Sequence, residues 1–106
     1  MAYKAVFTEH ASTDLANILS YISLDLSNLS AAKDLYGRIK ESIKLISEFP
    51  YSCQTYQSTF VQTNKIRYKP INNYLLFYVV DEETKTISII RILYSKRNIE
   101  DLFKKM

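Results

Sequence analysis

A chain of 106 residues, 47% hydrophobic and 24% charged, makes one globular domain with a modest core and no room for a second. A single glycine excludes Gly-rich phosphate loops and dinucleotide fingerprints, and one cysteine with one histidine excludes an internal disulfide and a Cys/His metal set. The net charge of +3 is too mild to name an acidic partner, so the position of the cations matters more than their number.

The first residues, "MAYKAVFTEH", lack the basic region and apolar run of a leader. No apolar run reaches the ~20 residues of a membrane span, so the expectation is a cytoplasmic protein without a membrane partner. Residues 2–7, "AYKAVF", predict a short strand with Tyr3, Ala5 and Phe7 on one face. Thr8 suits an N-cap, and Glu9 in the first turn complements the helix dipole. Ala11, Leu15, Ile18, Leu19, Ile22 and Leu26 then recur at helical spacing, predicting an amphipathic helix to about residue 25.

"SNLS" interrupts that pattern, and Ser30 is expected to cap a second helix. Its apolar stripe is Ala32, Leu35, Tyr36, Ile39, Ile43 and Ile46, and Phe49-Pro50 ends it. Two long helices with a short connection predict an antiparallel hairpin. "YSCQTYQS" is polar and aperiodic and reads as a loop, with Cys53 a bystander in it.

Three strands are predicted next, over residues 61–69, 74–80 and 86–94. The middle one, "YLLFYVV", is continuously apolar, as a strand covered on both faces should be. The tail "NIEDLFKKM" predicts a short helix resting Ile99, Leu102 and Phe103 on the sheet. The fold class expected is α+β, one domain over residues 1–106. An N-terminal strand and a helical hairpin pack on one face of an antiparallel sheet, followed by a short C-terminal helix.

Lys65, Arg67 and Lys69 alternate along one strand, so they project from one face at roughly 6.5–7 Å intervals, about the spacing of successive phosphates. Ile66 and Tyr68 are then expected to face the helices. On the last strand, Ile87, Ile89 and Leu93 share a face with Arg91, and Ile90, Ile92 and Tyr94 share the other. Arg91 must therefore reach water at an edge or pair with a carboxylate. A basic row of this kind is either a solvated, aggregation-resistant strand face or a grip on a polyanion.

Metal-free RNA cleavage would need a base, cations for the crowded phosphate and an acid for the leaving oxygen. Tyr94, close to Lys96 and Arg97, is the acid candidate. His10 stands at a helix start, remote in sequence from these strands, and reads as a surface or capping residue. No metal or cofactor is implied.

Four stretches together, "YKAVFTEHASTDLANILSYI", "LISEFP", "YLLFYVVD" and "IIRILYSKRN", resemble the RelE/ParE superfamily of bacterial toxins, in one order over about residues 3–103. The resemblance implies a small α+β toxin of a type II toxin–antitoxin module, held inactive by a cognate antitoxin. That antitoxin would lay a helix or strand over hydrophobic and basic surfaces, here expected at Leu15, Ile18, Tyr36 and Phe103.

RelE-like members cut mRNA on the ribosome and ParE-like members poison DNA gyrase. The RelE-like basic strand matches Lys65 and Arg67, and its last-strand arginine matches Arg97. Its central-strand arginine falls at Leu75, its C-terminal tyrosine at Phe103, and the histidine of some relatives at Tyr94. These departures and the long hairpin over residues 9–49 place the resemblance nearer the ParE branch, whose members share the "R-I-L-x-x-x-R" pattern matched by Arg91, Ile92, Leu93 and Arg97.

The expected function is therefore gyrase inhibition, with Lys65, Arg67, Lys69, Arg91, Lys96 and Arg97 as target- or polyanion-binding residues. The alternatives are a ribosome-dependent mRNA endoribonuclease using Arg67, Tyr94 and Arg97, and a decayed toxin that only binds its antitoxin.

Overall fold

The structure, a computed structural model, describes residues 2–56, 65–97 and 99. The elements run β1 (Lys4–Phe7), α1 (Glu9–Ser20), a π-helical stretch (Tyr21–Asp25) and α2 (Leu29–Glu48). They continue as β2 (Gln54–Thr55), β3 (Ile66–Ile71), β4 (Tyr74–Asp81) and β5 (Thr86–Tyr94). The strands make one five-stranded sheet in the order β1-β5-β4-β3-β2. This is the α+β arrangement expected, with the refinement that β1 lies parallel to β5 while every other pair is antiparallel. A parallel neighbour needs a long connection, which both helices and β2–β4 supply.

Thr8 caps α1 as expected: its Oγ1 accepts from the Ala11 N–H at 3.2 Å. The same hydroxyl lies 3.1 and 3.2 Å from the Ile89 and Ile90 carbonyls, so the cap also fastens α1 to β5. The cap of α2 is Asn28 rather than Ser30; its Oδ1 accepts from the Ala31 N–H at 3.0 Å. Ala32, Leu35, Ile39, Ser42 and Ile46 form the buried stripe of α2, and the helix stops before Pro50. Tyr36, expected in that stripe, is 44% exposed.

The hairpin covers one face of the sheet. Ala11, Leu35, Ile39 and Ile46 pack there on Ile71, Leu76, Tyr78, Ile87, Ile89 and Ile92. The opposite face holds a second cluster of Phe77, Leu93 and Ile99, flanked by Tyr56, Ile66, Tyr68, Leu75 and Ile90. Even-numbered residues of β4 thus serve one core and odd-numbered residues the other, which explains its unbroken apolar run.

Two expected orientations are corrected. Ile66 and Tyr68 point away from the helices into the second cluster, so Lys65, Arg67 and Lys69 belong to the helix side. In β5 a bulge interrupts the alternation: Tyr78 pairs with Ile89 but Phe77 pairs with Arg91, leaving Ile90 as the extra residue. Ile87, Ile89 and Ile92 therefore share the helix face, and Ile90 and Leu93 lie opposite.

The expected loop after α2 contains the two-residue strand β2 on the outer edge of β3. Residues 61–64 of the strand predicted over 61–69 lie outside the described residues. So does the predicted C-terminal helix except for Ile99, which is buried.

Candidate functional site

The basic row is anchored at its middle member. Arg67 pairs with Tyr78 across the β3–β4 ladder and is half-buried. Its Nη1 donates to the Cys53 carbonyl at 2.6 Å, and its guanidinium carbon lies 4.9 Å from the centre of the Tyr51 ring. Cys53 contributes its backbone here, and its thiol is not used.

A cleft of about 460 Å³ opens beside Arg67, lined by Tyr51, Lys65, Val79, Val80 and Asp81 as well. A second, of about 650 Å³, lies across it between Gln54, Thr55, Tyr56 and Tyr68. Lys65 is exposed just before β3. Lys69 lines a separate groove against Arg38, Glu41 and Leu45 of α2.

Tyr51 is itself held. Its hydroxyl and that of Tyr3 (2.7 Å) both donate to Glu82 Oε1, while Lys85 Nζ donates to Glu82 Oε2 at 2.8 Å. The Lys85 ammonium beside it, with the two phenols, brings the Glu82 carboxyl from an ordinary 4.5 down to about 2. Their bonds to Glu82 raise the Tyr3 and Tyr51 phenols in turn. Tyr78 beneath Arg67 donates to the Pro50 carbonyl at 2.8 Å, and burial pushes its phenol up. The loop carrying Tyr51 and Cys53 is thus tied to β3, to β4 and to the β4–β5 turn.

The other cations lie at the far end of the sheet. Tyr94 pairs with Tyr74, their rings 5.7 Å apart and inclined at 64°. Burial raises the Tyr74 phenol, with Tyr94 and Tyr21 nearby adding to it. The chain turns after β5, where Ser95 N–H donates to the Asn73 carbonyl and Arg97 N–H to that of Tyr94. Lys96 and Arg97 are exposed there, and neither has an ion-pair partner among the described residues.

Four residue steps along β4 separate Tyr78 from Tyr74, and two strand spacings separate β3 from β5. The Arg67 and Tyr94 backbones are therefore roughly 16 Å apart. Arg91 belongs to neither group. It is paired with a carboxylate, Nε and Nη2 donating to Asp14 at 2.7 and 2.9 Å, and its side chain is only 13% exposed.

The structure therefore brings Lys65 to Arg67, and Tyr94 to Lys96 and Arg97, but does not unite the two sets. Leu15 and Ile18 are half-buried against the helix-side core. Tyr36 stands exposed with Lys40 over its ring at 5.4 Å, and Phe103 lies outside the described residues. Tyr3, Tyr51, Glu82 and Asp14, which organise the neighbourhood of these cations, carry no sequence motif. Among the described residues no three His, Cys, Asp or Glu side chains could hold a metal, and no helix is long and apolar enough to cross a membrane.

The family model described as the ParE toxin of type II toxin–antitoxin system, parDE, matches residues 5–99. No curated protein matches the chain in sequence. Among solved structures, one of the chromosomal ParDE toxin–antitoxin system from P. aeruginosa is similar with a TM-score of 0.68 and 19% identity, covering 90% of this chain and 98% of that one. The RelBE2 toxin–antitoxin complex from Mycobacterium tuberculosis gives a TM-score of 0.59 and 20% identity, over 89% and 99% of the two chains. The isolated E. coli RelE toxin gives 0.59 and 16%, over 98% and 97%. Likeness at such identity speaks for the fold.

Proposed function

The chain belongs to the ParE toxin family of type II toxin–antitoxin systems, and from that premise we propose that it arrests growth by inhibiting DNA gyrase and is silenced by a cognate antitoxin. The observation that carries the choice of target is the separation of the cations. A ribonuclease site built on Arg67, Tyr94 and Arg97 would need these groups around one phosphate. Arg67 and Tyr94 stand at opposite ends of the sheet, and Arg67 is tied to Cys53 and Tyr51. An inhibitor that docks on its target has no such requirement. Dispersed basic groups suit a surface read by a large partner that itself holds DNA.

On this reading Lys96 and Arg97, exposed at the end of β5, and Lys65 and Lys69 beside β3 make the target contact. Arg67 and Arg91 hold the surface in shape. The antitoxin would cover the exposed part of the helical hairpin around Tyr36, where Leu15 and Ile18 are half-buried.

The test is incubation of the purified chain with gyrase, ATP and supercoiled plasmid. The expected result is linear plasmid released after protease treatment. Lys96→Ala with Arg97→Ala should lower its yield several-fold with an unchanged melting temperature. Normally processed plasmid, together with cleavage of mRNA on purified ribosomes, would overturn the reading in favour of a ribonuclease.

A further inference from the structure

The connection between the two helices exposes a cluster of large apolar side chains: Leu24 is 71% exposed, Leu29 58%, Leu26 55% and Tyr21 51%. Single exposed leucines are ordinary, but four such side chains within residues 21–29 form a patch. Beside it the helices leave a cleft of about 220 Å³, lined by Leu19, Ser23, Leu29, Ala32, Lys33 and Tyr36. From residue 15 to residue 32 the only charged residue is Asp25. Directly after that stretch charges of both signs return on α2, with Lys33, Asp34, Arg38, Lys40, Glu41 and Lys44 all exposed.

We propose that this tip is a self-association surface, on which two copies of the chain pair about a two-fold axis. Leu24 and Leu26 of each copy enter the cleft of the other, and Asp25 of each meets Lys33 of the other. A two-fold interface uses one patch twice, so any charge on it must find its complement on that same patch. This patch carries one charge of each sign. Neither Asp25 nor Lys33 has an ion-pair partner among the described residues.

Elsewhere on α2, self-contact would bury many charges of both signs, each of which must be desolvated and paired, whereas the tip brings only two. Tyr36 lines the cleft and also belongs to the surface assigned to the antitoxin, so pairing is a property of the chain free of antitoxin. The inference does not depend on the target of the toxin, because none of Lys65, Lys96 and Arg97 lines the cleft.

The experiment is sedimentation equilibrium of the full chain over a concentration series, with circular dichroism to confirm each variant folded. The mass should rise from that of one chain, 12.4 kDa, to twice that value. Asp25→Lys and Lys33→Glu should each weaken association about tenfold, because each turns two attractive contacts into repulsive ones. The double exchange D25K/K33E should restore it. A single-chain mass throughout overturns the proposal, as does a folded double variant that fails to recover. If the chain stays single and the reversals instead weaken its complex with antitoxin, the tip is an antitoxin surface and the proposal is wrong.

Discussion

One oxygen of Asp14 accepts from two places on β5, the Arg91 Nε at 2.7 Å and the Ile92 backbone N–H at 3.0 Å. Beyond Phe7 there is no β1 residue left to pair with β5, so Asp14 takes over the role of a neighbouring strand at the bulge. Both side chains are nearly covered, 13% and 14% exposed, so removing one partner strands a buried charge. Asp14→Ala should therefore cost ~3 kcal/mol in urea unfolding, and Arg91→Met added to it should recover part of that loss. A double variant weaker than Asp14→Ala alone would show that the guanidinium has another anchor.

Glu82 gives a pH signature. Its folded pKa of about 2 lies below the ordinary 4.5, so its contribution is complete above 4.5 and is lost as pH falls towards about 2. The stability gap between the chain and its Glu82→Gln variant should be flat at neutral pH and close across that acid window. A gap that persists at pH 2 would assign it to packing instead of charge.

The two helix caps differ in what they join. Asn28 closes only its own helix, whereas Thr8 closes α1 and bonds the β5 bulge as well. Asn28→Ala should cost ~1 kcal/mol and Thr8→Ala nearer ~2, measured as the shift in urea midpoint at constant slope. Thr8 is readable from the sequence because one capping residue stands directly before an apolar periodicity. Asn28 is not, since Ser27, Asn28 and Ser30 are all capping types and the choice depends on where the π-helical stretch releases the chain.

Alternation along β3 is likewise visible as a basic row, but alternation specifies two faces without saying which meets the helices. The bulge at Ile90 reverses the faces of β5 midway, and a period of two cannot register an inserted residue. The second anchor of Arg67 is a backbone carbonyl, and every residue type has one. No pattern of side chains could announce it.

Both cores hang on one strand. Leu76 and Tyr78 of β4 fill the helix-side cluster, and Phe77 fills the opposite one with Leu93 and Ile99. Neither layer can separate without exposing a side of β4 that the other still needs, so the 106 residues should unfold as one cooperative unit. The comparison that tests this pairs Ile39→Ala, in the helix-side core, with Ile99→Ala, in the other. Ile39 is almost fully buried and Ile99 slightly less so, at 1% and 9% exposed. Each truncation should cost ~2–4 kcal/mol, the larger loss at Ile39. With nine tyrosines and no tryptophan, tyrosine fluorescence reports both layers together while far-UV circular dichroism follows the helices and sheet. In each variant the two signals should move along one urea transition with unchanged slope. If Ile99→Ala instead splits off an early phase seen by fluorescence alone, the second cluster is an independent unit resting on a sheet that the helices hold unaided.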